Sequence, residues 1–410
     1  MPLSPSKLRV LLIAPYYDKN IPGESWSTFK WIQGISNHCS VTVLTTHFEG
    51  WNKLDSPTQA DEIVNWPDLA LPNRFARINH EMAPGYLIFY HRARKWIKHR
   101  IRNGWDFDLV HQINPLALRY PSPAAGLGIP YMIGPLAGSL TTPSGFTAEG
   151  GDRQWFRKLR YLDKFRLRFD PFLHRTYAGA QLVLGVAPYV QDFLEPCGLK
   201  RFAVMSETGV DSVSKVRKSA LADGEPLRLL FVGRIIRTKG VIDAIRAVAL
   251  ASKKHSLRFD IIGDGDHLAV CRDEVIRLGM QANIHFHGWL PRMELDYWYQ
   301  SAHVFLFPSF REPSGNVIFE SMKYGLPVIT SSIGGPGYVV DDSCGIRVVP
   351  TNPNEYASGL NDAIIKLASD PDHLLQMSSA AVARLEKVGL WEEKIKKVLL
   401  HYQDIVILIR

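Results

Sequence analysis

Three things are missing from this 410-residue chain: a paired cysteine motif, a long apolar run and a dinucleotide-binding fingerprint. Cys39, Cys197, Cys271 and Cys344 are widely scattered, with no spacing suited to zinc or a redox dithiol, so a reduced compartment is expected. The first apolar run, Leu8 to Ala14, follows Lys7 directly and stops at Pro15. It is too short to span a bilayer and has no cleavage region after it, so it reads as a first strand in a protein expected to stay in the cytoplasm. A two-domain solute-binding protein would want an export signal, and none is visible. A dehydrogenase would want Gly-x-Gly-x-x-Gly after a strand, whereas Gly263-Asp264-Gly265 continues with Asp266, His267 and Leu268. Disorder and repeats are absent too, and 46% hydrophobic content over this length suits two well-buried domains.

Acid is scarce in two further stretches. Residues 91–102 carry Arg92, Arg94, Lys95, Lys98, Arg100 and Arg102 with no carboxylate, and residues 153–175 carry eight Lys or Arg against Asp163 and Asp170. Each is locally +6, so together they exceed the chain's whole +8 and leave the remainder slightly acidic. Interleaved Trp96, Trp155, Phe156, Tyr161 and Phe165 suit an anionic membrane surface or a phosphorylated lipid, and equally a pair of helices with solvated basic faces. No nucleic-acid motif accompanies the charge, and nucleic acid is not expected as a partner.

What is present reads as alternating strands and helices. Leu8–Tyr16 and Val41–Thr45 flank a helix over Trp26–Asn37, with the Pro22-Gly23 loop at the strand's C-terminal edge, where ligands of such sheets bind. Residues 47–80 show little periodicity and read as a surface excursion. Strands follow at Phe107–Ile113, Ile129–Ile133, Leu182–Val186 and Phe202–Met205, the second leading into the small-residue turn Gly134–Ser139. Ser212–Pro226 has linker composition. Beyond it, Leu227–Val232 runs into Gly233-Arg234-Ile235-Ile236-Arg237-Thr238-Lys239-Gly240, where Thr238 can cap the next helix and Lys239 opposes its dipole unless an anion binds there. The apolar runs Val304–Phe307 and from Val328 enclose Pro308 to Gly325, read as loop and short helix. In it Glu312 lies after a strand, Ser314 can cap the helix, Gly315 permits close backbone approach and Glu320 sits in the early turns. Two carboxylates beside a helix N-terminus suggest a ligand with both hydroxyls and phosphate, although a solvated loop acid and a dipole-complementing acid explain them as well.

Pro308, Ser309, Glu312, Gly315, Glu320, Gly325, Pro327, Val328 and Ile329 resemble the Glu-x7-Glu context of retaining family-4 glycosyltransferases, the glycosyl transferases group 1 of GT-B fold. Gly233-Arg234-x4-Lys239-Gly240 resembles their diphosphate-binding signature, Asp108-Leu109-Val110-His111 their Asp-x-x-His segment, and Gly209-Val210-Asp211 the close of their first domain. The sequence departs from the family pattern at Glu24, where a second loop glycine is usual, and at Pro313, which removes a backbone donor.

The resemblance implies an α/β chain of two Rossmann-like doubly wound domains facing a cleft. It gives residues 1–211 as acceptor domain, 212–226 as linker, 227–390 as donor domain and 391–410 as a helix crossing back to the first domain. It implies catalytic roles for His111, Arg234, Lys239 and Glu312, and donor contacts at Gly23, Gly233, Ser314, Gly315, Asn316, Val317 and Glu320. The Gly288–Pro291 turn would lie near the nucleotide base. The expected reaction moves a hexose-type sugar from a nucleotide diphosphate, UDP ahead of GDP, to a lipid-linked or soluble acceptor, with no metal or other cofactor. Asp106-Phe107-Asp108 and Asp264-Gly265-Asp266 are discounted as metal motifs. A nucleotide-sugar epimerase, a transferase acting on a soluble natural product and a sugar-binding protein remain as alternatives. The expected setting is cell-surface glycan or exopolysaccharide assembly, in the cytoplasm or peripheral at the inner face of the plasma membrane.

Overall fold

The computed structural model describes residues 7–47, 59–68, 85–149, 154–215, 218, 221–222 and 224–409. Two compact units emerge: one of Met1–Ser139, Lys158–Glu207 and Trp391–Arg410, the other of Leu140–Arg157 and Thr208–Leu390. The first unit therefore ends at Glu207 rather than 211 and gives up Leu140–Arg157, because Phe146 there stacks on Phe310 at 4.2 Å and abuts Tyr356 of the second core.

The first unit is a seven-stranded parallel sheet in the order β3-β2-β1-β4-β5-β6-β7. Its strands are β1 Arg9–Ile13, β2 Ser40–His47, β3 Glu62–Pro67, β4 Leu109–Gln112, β5 Tyr131–Leu136, β6 Leu182–Gly185 and β7 Phe202–Val204. β3 lies inside the stretch read as a surface excursion. Its side chains are half to fully exposed, as at a sheet edge, so it lacks the apolar signature by which buried parallel strands are recognised. Residues 48–58 and 69–80 of that stretch, like Arg153, lie outside the described residues.

The Trp391–Ile409 helix is part of this unit. Trp391, Ile395, Val398 and Tyr402 join Val10, Leu12, Trp31 and Ile32 in one buried cluster, and Trp391 meets Trp31 edge-on at 5.3 Å. Its apolar spacing thus supplies a face of the first core from the far end of the chain.

The second unit is a six-stranded parallel sheet in the order β10-β9-β8-β11-β12-β13. Its strands are β8 Leu227–Val232, β9 Leu257–Ile262, β10 Ile284–Gly288, β11 Val304–Phe307, β12 Val328–Ser331 and β13 Gly345–Val348. The Val241–Ala251 helix buries Val241, Ile242, Ile245 and Val248 as its periodicity requires. In each sheet the strand order reverses next to the first strand, between β1 and β4 and between β8 and β11. The crevice beyond the strands' carboxyl ends at such a reversal is where open α/β sheets take ligands.

The segment read as a linker is tied down where it is described. Ser214 N–H donates to Lys323 O, and Lys218 Nζ reaches the carbonyls of Tyr299, Gln300 and Ala302 at 2.6–2.8 Å, satisfying acceptors that the Arg292–Ser301 helix leaves open at its end.

Candidate functional site

At the β8–β11 reversal two loops are stitched together. Ser309 Oγ and Phe310 N both donate to Thr238 O at 3.2 Å, and Gly240 lies so close to Pro308 O that a Cβ would collide with it. This seam brings Lys239, from the β8 loop, onto Glu312, from the β11 loop: Lys239 Nζ contacts Glu312 Oε2 directly and lies 5.2 Å from the Phe307 ring centre. Arg234, on the same β8 loop, is exposed.

Both caps expected from the sequence are replaced by glycines. Thr238 lies in a short 3-10 turn, and the following helix starts from Gly240 at φ 73° with no side-chain cap. The Asn316–Lys323 helix likewise starts from Gly315, at φ 81°, rather than from the buried Ser314. A left-handed residue turns the chain sharply into each helix, and glycine is the residue that adopts it without strain. The first N–H groups of the Asn316–Lys323 helix, including those of Asn316 and Val317, have no acceptor within the helix. Gly334 and Gly335 back the same loop, where a Cβ would strike Glu312 O and Pro313 O, and Gly335 N–H donates to Glu312 O at 3.1 Å.

Glu320 is held from three sides. Asn316 Nδ2 donates to its Oε1 at 2.9 Å, Tyr299 Oη donates to Oε2 at 3.2 Å, and Arg292 Nη2 stands 3.4 Å from Oε1. Burial raises the pKa of this carboxyl, against the pull of Arg292 and the two hydrogen bonds. Thr208 donates through Oγ1 to Asn316 Oδ1 at 2.6 Å, connecting the start of the second unit to the same helix.

Sequence reasoning missed Arg237. It is buried, makes a two-pronged pair with Asp243 at 2.6 and 3.1 Å, and faces the Phe146 and Phe310 rings at 5.3 and 5.1 Å. It therefore braces the loop that carries Arg234 and Lys239. Asp243, two residues beyond the first helical position, was the available signal.

In the first unit His111 is fully buried. Its Nε2 lies 2.6 Å from Gly134 O and its Nδ1 2.7 Å from Tyr402 Oη. A carbonyl can only accept, so Nε2 carries the proton and Nδ1 accepts from the tyrosine hydroxyl. Burial pushes its pKa down to about 4, with the Gly134 carbonyl opposing and His401 assisting, so the ring is neutral at neutral pH. With both nitrogens engaged and no exposed surface, His111 ties together β4, β5 and the terminal helix.

Gly23 caps the Glu24–Ser36 helix at φ 92°, and open space surrounds its Cβ position. Glu24, the departure from the family pattern, spans the β1–β4 reversal, its Oε1 accepting from Leu116 N at 3.0 Å. Burial pushes its pKa up to about 7, moderated by that hydrogen bond and reinforced by Glu207. Of the aspartates discounted above, Asp106 pairs with Arg100 at 3.0 Å and Asp108 accepts from Arg9 N at 2.8 Å.

Two parallel sheets, each with its reversal beside the first strand, define the GT-B class of α/β fold. Solved structures agree across nearly the whole chain: sucrose-phosphate synthase from Thermosynechococcus elongatus (16% identity, TM-score 0.63, covering 97% of this chain and 99% of that one), a glycosyltransferase from Rickettsia africae (15%, 0.63, 98% and 99%), and Anabaena HepE solved with UDP and glucose (16%, 0.58, 97% and 99%). More particularly, residues 212–384, within the second unit, match the family described as Glycosyl transferases group 1. Among curated relatives, an uncharacterized glycosyltransferase of Methanocaldococcus jannaschii is 34% identical over 35% of this chain and 37% of its own length. D-inositol 3-phosphate glycosyltransferase of Streptomyces bingchenggensis is 33% identical over 40% and 37%. The chain thus spans well under half the length of the curated relatives it matches.

Proposed function

We propose that the protein is a retaining glycosyltransferase that takes a hexose-type sugar from a nucleotide diphosphate and passes it to an acceptor hydroxyl, without a metal. The observation that carries this reading is the Lys239–Glu312 pair at the β8–β11 reversal, with exposed Arg234 on the β8 loop and the glycine-led start of the Asn316–Lys323 helix following on the β11 loop. In this reading a diphosphate takes over Lys239 and is held by Arg234 and the helix N–H groups, which frees Glu312 to orient the sugar. Glu320, already ringed by donors, accepts from the ribose hydroxyls.

As the bond from the anomeric carbon to the phosphate oxygen breaks, negative charge gathers on the departing oxygen, where the two cations and the helix start stabilise it. The acceptor oxygen bonds to the same face of the sugar and its proton passes to the leaving phosphate. His111 contributes as a positioning residue only. HepE was solved with UDP and, separately, with UDP-glucose, which favours UDP over GDP here. A lipid-linked acceptor in cell-surface glycan assembly fits the basic segments better than a soluble one.

Thermal shift against UDP, GDP, ADP, dTDP and their sugars tests the donor. At a hundred times the dissociation constant a ligand stabilises the native state by roughly 2.7 kcal/mol. A shift with one nucleotide that disappears in both Arg234→Ala and Glu320→Ala is expected. No shift with any nucleotide overturns the reading, and release of an isomerised donor without an acceptor would replace it with epimerisation.

A further inference from the structure

We propose that the exposed side of residues 162–175 docks on an anionic lipid bilayer. The inference stands apart from the sugar-transfer reading. Across this stretch Leu162, Phe165, Phe169 and Phe172 are 50%, 59%, 60% and 60% exposed, values that soluble helices seldom combine in so short a run. The only other exposed residues between them are Pro171 and the bases Lys164, Arg168 and Arg175.

Both acids of the stretch are withdrawn from that surface. Asp163 is buried and pairs with Arg119 at 3.2 Å. Asp170 accepts from the backbone of Phe172 and Leu173 and pairs with Arg166 at 2.8 Å. Leu167 and Leu173 face inward and fix the two helices to the unit, while Lys164 lies 5.6 Å from the Phe193 ring centre and remains exposed. Leu162, Phe165 and Phe169 follow an i, i+3, i+7 stripe, and the Phe165 and Phe169 rings touch at 4.8 Å.

The charge continues on a second helix. Of the bases on Gly85–Arg102, Arg92, Arg94 and Arg100 are spent on Pro67 O, on Pro123 and Ala125 O, and on Asp106. His91, Lys95, Lys98 and Arg102 are exposed at i, i+4, i+7 and i+11 and line one side of an open hollow of about 370 Å³. Arg94 and Arg175 flank the same turn, the first bonded to Ala125 O and the second lying against Gly126, so the two basic surfaces border each other.

Exposed aromatic rings beside bases, with no carboxylate among them, complement an anionic headgroup layer that the rings enter and the bases neutralise. A stripe along a helix, rather than a lined groove, favours a planar surface over a single strand of nucleic acid. Among the described residues no helix is long and apolar enough to cross a membrane, so the contact is interfacial.

Co-sedimentation of the full chain with vesicles tests this. With vesicles of phosphatidylcholine containing about one-third phosphatidylglycerol, binding is expected to exceed that to pure phosphatidylcholine by roughly tenfold or more, and to fall in high salt. Phe165→Ser/Phe169→Ser and, separately, Lys164→Glu/Arg168→Glu are each expected to weaken it about tenfold with melting temperature unchanged. Lys253→Glu/Lys254→Glu, an equal charge change at exposed positions in the second unit, is expected to leave it intact. Equal binding to both vesicles, no binding, or indifference to the phenylalanine changes would overturn the proposal. So would a wild-type dimer that Phe165→Ser/Phe169→Ser converts to monomer without any vesicle binding, or single-stranded RNA binding in its place.

Discussion

Lys239 and Glu312 are only 14% and 15% exposed, so neither charge is well solvated without the other. Breaking such a pair from one side leaves an enclosed charge uncompensated, and Lys239→Met is expected to cost on the order of 3 kcal/mol. Lys239→Met/Glu312→Gln, which removes both charges, is expected to recover most of that loss. Urea denaturation of the two single variants and the double one reads the coupling, and strict additivity would mean the pair contributes nothing to the fold. Glu24 gives a prediction with the opposite character. Its carboxyl titrates at about 7 in the fold against an ordinary 4.5, so the native state holds this proton more tightly than the unfolded chain does. Its stabilising contribution is complete below about 4.5 and is lost as pH rises through about 7. Glu24→Gln keeps an oxygen for Leu116 N–H and never ionises. It is expected to be more stable than wild type by on the order of 1–2 kcal/mol at pH 8, allowing for partial solvent screening, and to match it near pH 4. A melting-temperature difference independent of pH would refute this. At this scale the sequence made acids and bases visible but not their partners. Arg234, Arg237 and Lys239 look alike in a glycine-bounded loop, yet one is exposed, one is buried on Asp243 and one is paired with Glu312, because those partners arrive from other elements.

The elements were legible in proportion to how apolar they are. β8 and β11 were both bounded from sequence alone, since both are continuous runs buried on two faces, whereas the edge strand β3 offered no such run. Helix starts were harder. Ser314 and Thr238 have the side chains that usually cap a helix, but the next glycine takes the position in each case, since the chain enters each helix through a left-handed residue. Gly240 shows the consequence: at φ 73° an alanine is strained, and its Cβ would also collide with Pro308 O on the β11 loop. Gly240→Ala is therefore expected to cost at least 2 kcal/mol, about 1 from the backbone and the remainder from prying the two loops apart. Gly279 also has a left-handed φ, of 67°, but nothing near its Cβ position. Gly279→Ala is expected to show only the backbone part, and chemical denaturation of the two variants side by side separates strain from collision. Equal losses would mean that the loop seam yields freely.

Over the whole molecule the chain passes between its two units four times, after residues 139, 157, 207 and 390. The last passage matters most for stability, because the Trp391–Ile409 helix brings residues from the end of the chain into the first core, where Trp391 meets Trp26 at 6.0 Å and Trp31 at 5.3 Å. Its amphipathic spacing is plain in the sequence, but the core it serves is not, since periodicity says that a face is buried without saying against what. The resemblance supplied that answer, and the packing gives it physical content. Removing the indole by Trp391→Ala should cost about 3–5 kcal/mol, as loss of a large buried aromatic does. The loss should fall on one unit: amide exchange is expected to quicken in β1, β4 and the Glu24–Ser36 helix while β8, β9 and β11 keep their protection. Nucleotide should produce the complementary pattern, slowing exchange in the β8 and β11 loops and raising the unfolding of the second unit without restoring the first. If Trp391→Ala instead loosens both sheets together, the two units unfold as one cooperative body and the terminal helix stabilises the whole chain rather than the first core alone.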